Sequence, residues 1–273
     1  MQALADRLRP GRRIVFVPTM GFLHEGHLSL IRLARHVGDV VVVSIFVNPA
    51  QFGPGEDFQD YPRALDRDLA LAQKEGVDIV FTPSEAELYP EGFETYVHLE
   101  RLPRHLCGLS RPVFFRGVAT VVTKLFHIVK PHAAVFGEKD YQQVMVVKKM
   151  VRDLDMDVTI IAGPTVREPD GLAMSSRNSY LSNDQRRSAL SLRKALIEAQ
   201  QMVSSGERTA ACIVSAAKDV IASFPETDID YIRIFDPETL EDRQEINGPV
   251  RMALAVRVGT TRLIDNDLLD PAR

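Results

Sequence analysis

Five apolar runs separated by helical patterns fill the first 165 residues and leave few folds open to them. Ile14–Val17, Val40–Phe46, Val77–Phe81, Ala133–Phe136 and Val158–Ala162 read as buried strands of a parallel sheet. Helical spacing occupies the intervals, at about Leu28–His36, Arg63–Gly76, Gly117–Val129 and Tyr141–Asp153. Such alternation predicts an α/β fold with a doubly wound parallel sheet, whose ligands sit beyond the carboxyl ends of the strands.

From about Val166 the pattern changes. A loop rich in glycine and serine leads to one long helical pattern (Asn183–Ser204) and a second (Thr209–Ser223). Strand-like runs follow at Ile229–Phe235, Arg251–Val258 and near Arg262–Asp265. Residues 166–273 therefore read as a smaller C-terminal α+β domain packed over the first domain, 1–165. A single continuous domain is the alternative.

Composition narrows the function classes. The 273 residues carry a net charge of -4, which gives no basic excess to neutralise nucleic-acid phosphates. Two cysteines, Cys107 and Cys212, are too few for a disulfide framework and fit a reducing cytosol. No apolar run approaches the roughly 20 residues of a membrane span, and Met1–Pro10 lacks the apolar stretch of a signal peptide. The expected setting is cytoplasmic, with neither nucleic acid nor membrane as partner.

Chemistry concentrates at the strand ends. Thr19-Met20-Gly21-Phe22-Leu23-His24-Glu25-Gly26-His27 joins the first strand to a helix, a geometry that turns backbone N–H groups toward an anion. His24 and His27 lie three apart, so both imidazoles can face a phosphate that gains charge in a transition state. Zinc is disfavoured: the metalloprotease helix motif needs its histidines four apart, and no cysteine or third histidine completes a ligand set. After the second strand, Asn48-Pro49 marks a turn and Gln51 offers both a donor and an acceptor. Gly137-Glu138-Lys139-Asp140 opens a helix, with Lys139 as a cation and Asp140 as a candidate cap. Met174-Ser175-Ser176-Arg177-Asn178 places two hydroxyls beside a guanidinium, which is either a phosphate clamp or an ordinary surface loop.

The His-x-Gly-His turn followed much later by Met-Ser-Ser-Arg resembles the paired signatures of the nucleotidyltransferase and class I aminoacyl-tRNA synthetase-like superfamily, whose sheet is Rossmann-like. More narrowly, the chain resembles the pantoate–β-alanine ligase family. The matching strings are Val17-Pro18-Thr19-Met20-Gly21, His24-Glu25-Gly26-His27, Ser44-Ile45-Phe46-Val47-Asn48-Pro49, Gln51-Phe52, Tyr61-Pro62-Arg63, Phe136 to Gln143, Pro164 to Glu168 and Gly171 to Asn178. They run in family order over nearly the whole chain.

That resemblance implies condensation of pantoate with β-alanine, driven by ATP and Mg²⁺, releasing AMP and pyrophosphate through a pantoyl-adenylate. It implies a homodimer, with domain 1–165 holding nucleotide and pantoate and domain 166–273 closing over the active site. It places Met20, Gly21, Phe22, Leu23, His24, Glu25, Gly26 and His27 along ATP, with His27 as proton donor. Gly137, Glu138, Lys139, Asp140, Val166, Met174, Ser175, Ser176 and Arg177 complete the nucleotide contacts. Lys139, Ser175, Ser176 and Arg177 would stabilise departing pyrophosphate beside His24. Gln51 and Gln143 fall to pantoate, Gln51 also to β-alanine, and Arg111 matches an arginine near the adenylate. Met20 and Phe52 are the side chains expected against the gem-dimethyl carbon of pantoate.

The chain departs from the family pattern in several places. Paired acids implicated in the metal site read Arg67-Asp68, leaving Asp68 as the expected metal residue. Leu-Glu-Gly before Arg111 reads Leu106-Cys107-Gly108, and a loop histidine reads Phe114. The chain also starts close to its first strand, so an N-terminal edge strand of longer relatives is expected to be missing. A tRNA synthetase is disfavoured, because the acidic chain has no room for a basic tRNA-binding module. A nucleotide-binding regulatory protein is the rival of a different class, and the intact His24, His27, Lys139 and Arg177 set argues against it.

Overall fold

The computed structural model describes residues 1–272. In chain order the elements begin with α1 (Gln2–Leu8), β1 (Ile14–Thr19), α2 (Glu25–Val37), β2 (Val40–Ile45), α3 (Leu65–Lys74), β3 (Ile79–Phe81) and α4 (Glu85–Leu88). Next come α5 (Cys107–Ser110), α6 (Phe114–Val129), β4 (Ala133–Gly137), α7 (Tyr141–Asp153) and β5 (Thr159–Gly163). The remainder is α8 (Asn183–Ser204), α9 (Ala210–Ala222), β6 (Thr227–Phe235), β7 (Val250–Val258) and β8 (Thr261–Leu269). The chain forms two compact units. One holds Met1–Pro103, Arg111–Glu138 and Gln143–Thr165; the other holds Arg104–Ser110, Lys139–Gln142 and the residues from Val166 onward.

The first unit is a five-stranded parallel sheet in the order β3-β2-β1-β4-β5. Its central strands are solidly apolar because both faces are covered. Ile14, Phe16, Val40 and Val42 pack with α6 on one side, and Val15, Val17, Val41 and Val43 pack with α2 on the other. Strand order reverses between β1 and β4, so the carboxyl ends of β1, β2 and β4 border a switch point, the usual ligand crevice of such sheets. This is the predicted α/β, Rossmann-like sheet.

Two local differences have physical causes. Helix α2 begins at Glu25, a turn earlier than its apolar spacing indicates, because His24 serves as its N-cap. Helix α1 and its cap turn Met1, Leu4, Ala5 and Leu8 inward, with only Ala5 fully buried; two turns are too short for that spacing to stand out among the polar residues of the first ten.

The second unit is the smaller α+β structure, with an antiparallel sheet in the order β6-β7-β8. Helices α8 and α9 cover it through Leu192, Leu196, Ile213 and Ile221, which meet Met252 and Leu254 in one core. The last strand, Thr261–Leu269, is longer than the predicted Arg262–Asp265, since cross-strand pairing with β7 continues through the polar Asp265, Asn266 and Asp267 to Leu268 and Leu269. Among the described residues, no helix is long and apolar enough to cross a membrane.

Candidate active site

The turn after β1 is built from two consecutive left-handed residues, Gly21 (φ 83°) and Phe22 (φ 50°). A Cβ on Gly21 would lie 2.9 Å from Ile45 Cγ2 and 3.0 Å from Asp68 Oδ2, so glycine is required there for space as well as for φ. Thr19 Oγ1 donates to the Ser44 carbonyl at 2.7 Å and accepts the Gly21 N–H at 3.1 Å. The N–H groups of Phe22 and Leu23 donate to Asp68 Oδ2 and Oδ1, each at 2.7 Å. The His24 N–H donates to His27 Nδ1 at 3.4 Å, half of a reciprocal imidazole–backbone pairing that caps α2. The two rings stack with centroids 4.1 Å apart and planes tilted by 34°.

Few amides of this turn remain for an anion. The amides of Gly21, Phe22, Leu23 and His24 already have acceptors within the protein. The donors that the helix itself does not satisfy begin at Glu25 and Gly26, at the positive end of α2.

The loop after β2 carries Gln51, 7% exposed, in a single 3-10 turn, Pro49–Gln51. Asn48, 1% exposed, sets its orientation. Asn48 Oδ1 accepts from Tyr89 Oη at 2.7 Å and from the Ala50 N–H at 3.3 Å, while its Nδ2 donates to the Gly117 carbonyl at 3.1 Å. Nδ2 also donates to Gln51 Oε1 at 3.0 Å, and Gln51 Nε2 then points to Met20 Sδ at 3.0 Å. Burial and the neighbouring Tyr96 push the Tyr89 phenol well above its ordinary value, so it stays a neutral donor. Phe52 packs with Phe58 and Tyr61, at ring-centroid distances of 5.3 and 6.1 Å.

Arg111 is held on three sides. Its Nε and Nη2 donate to the two carboxylate oxygens of Glu56 at 2.7 and 2.6 Å, and Nη2 also reaches the Gln51 carbonyl at 3.2 Å. Its guanidinium lies 3.9 Å over the Phe114 ring. Phe114 thus supplies a stacking face. Gln143, half-buried, is the third residue of α7.

Gly137 ends β4, and Glu138, Lys139 and Asp140 form a single 3-10 turn before α7, with Glu138 counted in the first unit and Lys139 and Asp140 in the second. Lys139 Nζ lies 3.4 Å from Asp140 Oδ1, and its carbonyl accepts from Asn266 Nδ2 at 2.9 Å. Gln142 is spent on structure: its Oε1 accepts the Cys107 N–H at 3.0 Å and its Nε2 donates to the His105 carbonyl at 2.7 Å. Val166 and Met174 pair across a short hairpin, the Met174 N–H donating to the Val166 carbonyl at 3.0 Å. Arg167 anchors that hairpin on buried Asp265 through two bonds of 2.7 and 3.0 Å. Ser175 Oγ accepts the Arg177 N–H at 3.3 Å, and Ser176 is buried in the 3-10 segment that follows. Asn178 Nδ2 ties this segment to Glu168 at 2.7 Å and to the Ala173 carbonyl at 3.1 Å.

Asp68 fits a magnesium ion poorly. Mg²⁺ keeps several waters and needs near-octahedral access, whereas Asp68 is 1% exposed and each oxygen already accepts an amide. Among the described residues, no three His, Cys, Asp or Glu side chains cluster as metal ligands. The sequence reading missed Asp68's actual contacts, Asn48's control of Gln51 and the role of Gly117. A Cβ on Gly117 would meet the Ala50 carbonyl oxygen at 2.2 Å; a glycine in the first turn of α6 was the only signal.

Residues 1–268 match the family model described as Pantoate-beta-alanine ligase. The pantothenate synthetase of Desulfatibacillum aliphaticivorans is 58% identical over 263 residues, 96% of this chain and 94% of that relative. That of Syntrophobacter fumaroxidans is 56% identical over 271 residues, 99% and 96% of the two chains. The crystal structure of the Thermus thermophilus enzyme superposes with a TM-score of 0.93 at 48% identity, covering 97% of this chain and 96% of that one. A Francisella tularensis pantoate-beta-alanine ligase, crystallised with beta-gamma ATP and beta-alanine, superposes with a TM-score of 0.81 at 37% identity, covering 98% and 94%.

Proposed function

The chain belongs to the pantoate-beta-alanine ligase family, and from that premise we propose how its residues divide the work. The reaction is the ATP-dependent joining of pantoate to β-alanine. In our reading it runs in two steps. A pantoate carboxylate oxygen attacks the α-phosphorus of ATP, the bond to the β-phosphate oxygen breaks, and pyrophosphate leaves. The amine of β-alanine then attacks the acyl carbon of pantoyl-adenylate, AMP departs with the electrons of the C–O bond, and the amine loses a proton. The first step is needed because a free carboxylate has no adequate leaving group.

The observation that carries this reading is the 3.0 Å contact between Gln51 Nε2 and Met20 Sδ. It joins the loop after β2 to the histidine turn after β1, so a small acid held at Gln51 lies next to the turn assigned to the nucleotide. Gln51 and Gln143 bind pantoate, with Met20 and Phe52 along its methyl groups. Arg111 acts on that site through the Gln51 carbonyl. Glu25 and Gly26 offer amides to phosphate while His24 and His27 face it, with His27 as proton donor. Lys139, Ser175, Ser176 and Arg177 stabilise pyrophosphate as it leaves, and Gly137, Glu138, Asp140, Val166 and Met174 complete the ATP contacts. Mg²⁺, where bound, would enter with ATP and neutralise phosphate charge, needing few ligands from the protein. A cytoplasmic homodimer, drawn from the family resemblance, completes the proposal.

Incubation with ATP and pantoate, without β-alanine, tests it. Pyrophosphate and an enzyme-held adenylate should form; release of ADP and phosphate would point to an acyl phosphate and sink the two-step scheme.

A further inference from the structure

Successive N–H groups on left-handed backbone form a concavity that binds anions, and the Gly21–Leu23 turn is one. Its occupant is part of the protein. The carboxylate of Asp68, projecting from α3, takes the Phe22 and Leu23 amides at 2.7 Å each. Phe22 holds φ 50°, a conformation that side-chain-bearing residues resist, so something must keep it there. Asp68 does so from below with two charge-assisted bonds. The neighbouring Arg67 reaches the same residue, its guanidinium 5.1 Å from the Phe22 ring centroid and its Nη1 3.8 Å from Asp68 Oδ1. One residue beyond the clamped amides comes His24, the cap of α2.

We propose that Asp68 is a positioning residue for adenylation: it fills the anion nest of the turn, holds Phe22 left-handed and thereby aims His24, His27 and the first amides of α2 at phosphate. It does not ligate the metal. The inference rests on the assignment of residues 24 to 27 to ATP. It turns the departure at Arg67-Asp68 from a weakened metal site into a two-residue grip on one turn.

Asp68→Asn is the discriminating variant, because a carboxamide accepts from one amide and turns its NH₂ against the other. Amide hydrogen exchange should show Phe22 and Leu23 protected in the parent and at least about tenfold faster in the variant. Pyrophosphate release should fall about 10- to 100-fold. The Mg²⁺ concentration for half-maximal rate should stay within about twofold, since no ligand of the ion is lost. Phe22→Gly removes the left-handed strain, so in that background the same Asp68→Asn change should cost less than about fivefold.

A raised Mg²⁺ requirement would return Asp68 to the metal site. Unchanged turnover despite fast exchange, an equal loss in both backgrounds, or failure of both the single and the double variant to fold would each overturn the proposal. If the parent itself releases no pyrophosphate, the assignment to ATP fails, and exchange at Phe22 and Leu23 still decides whether Asp68 clamps the turn.

Discussion

Asn48 Nδ2 donates to Gln51 Oε1 at 3.0 Å, and this one bond decides which end of the Gln51 amide remains for a ligand. Asn48 cannot be turned over: the Ala50 N–H requires its oxygen, and the Gly117 carbonyl requires its nitrogen. Gln51 must therefore show its oxygen to Asn48 and its NH₂ to Met20. Toward a ligand bound there it would be a donor.

That polarity makes Gln51→Glu more damaging than its size suggests. In the proposed pocket the change sets an oxygen where pantoate would meet N–H, and it adds a negative charge facing a carboxylate. Pantoate KM should rise about 10- to 100-fold, the scale of a lost bond to a charged group. ATP KM should hold steady in the same steady-state kinetics. A rise in ATP KM with pantoate unaffected would move Gln51 to the nucleotide.

Gly117→Ala should reproduce part of that signature from outside the site. The added Cβ would stand 2.2 Å from the Ala50 carbonyl oxygen and 2.5 Å from the Gln51 nitrogen, both backbone atoms that move only together. We expect a loss of about 1–3 kcal/mol in stability by urea unfolding, the range for overpacking, with a raised pantoate KM. A fully stable variant with native kinetics would show that the turn yields freely.

His27→Ala and Lys139→Ala should each cost about 10²–10³-fold in pyrophosphate release, as for one lost donor at a developing charge. Transfer from preformed pantoyl-adenylate to β-alanine should suffer far less, because the phosphate charge has already been dealt with. Single-turnover measurements separate the two steps. Equal losses in both would indicate a damaged fold.

The parallel sheet was legible because strands buried on both faces write apolar runs, such as Val40 to Val43 in β2. The strings assigned to chemistry could be picked out because they are local: His24 and His27 share the first turn of α2, and Met174 to Arg177 are consecutive residues. Contacts across long separations were not legible. Nothing in Asp68 reveals that it meets amides 45 and 46 residues earlier, because a string such as Asp66-Arg67-Asp68 carries no mark of a partner so far back in the chain. Asn48, Tyr89 and Gly117 form one unit only when α6 is laid beneath the 3-10 turn. The adjacent glutamines divide similarly. Gln142 is consumed by the Arg104–Ser110 segment, and no pattern in the string Gln142-Gln143 marks which of the two is spent.

Acid stability should depend on His132, which sits at the amino ends of the central strands. Its Nδ1 accepts the Ile14 N–H at 3.0 Å, a role open only to an unprotonated nitrogen. Burial, with help from Arg9 and Arg13, lowers its pKa from the ordinary 6.5 against the opposing pull of Asp157. The unfolded chain therefore takes up the proton first as pH falls. Above about 6.5 both states are neutral and the full stability is present; below it, stability is lost progressively until the folded-state pKa is passed. Urea midpoints taken from pH 8 to pH 5 should decline at a slope of at most about 1.4 kcal/mol per pH unit from this group. His132→Asn keeps a side-chain acceptor and cannot titrate. It should be less stable than the parent at pH 8 and show a flatter profile below pH 6.5. Parallel profiles for the two proteins would assign the acid sensitivity to other groups.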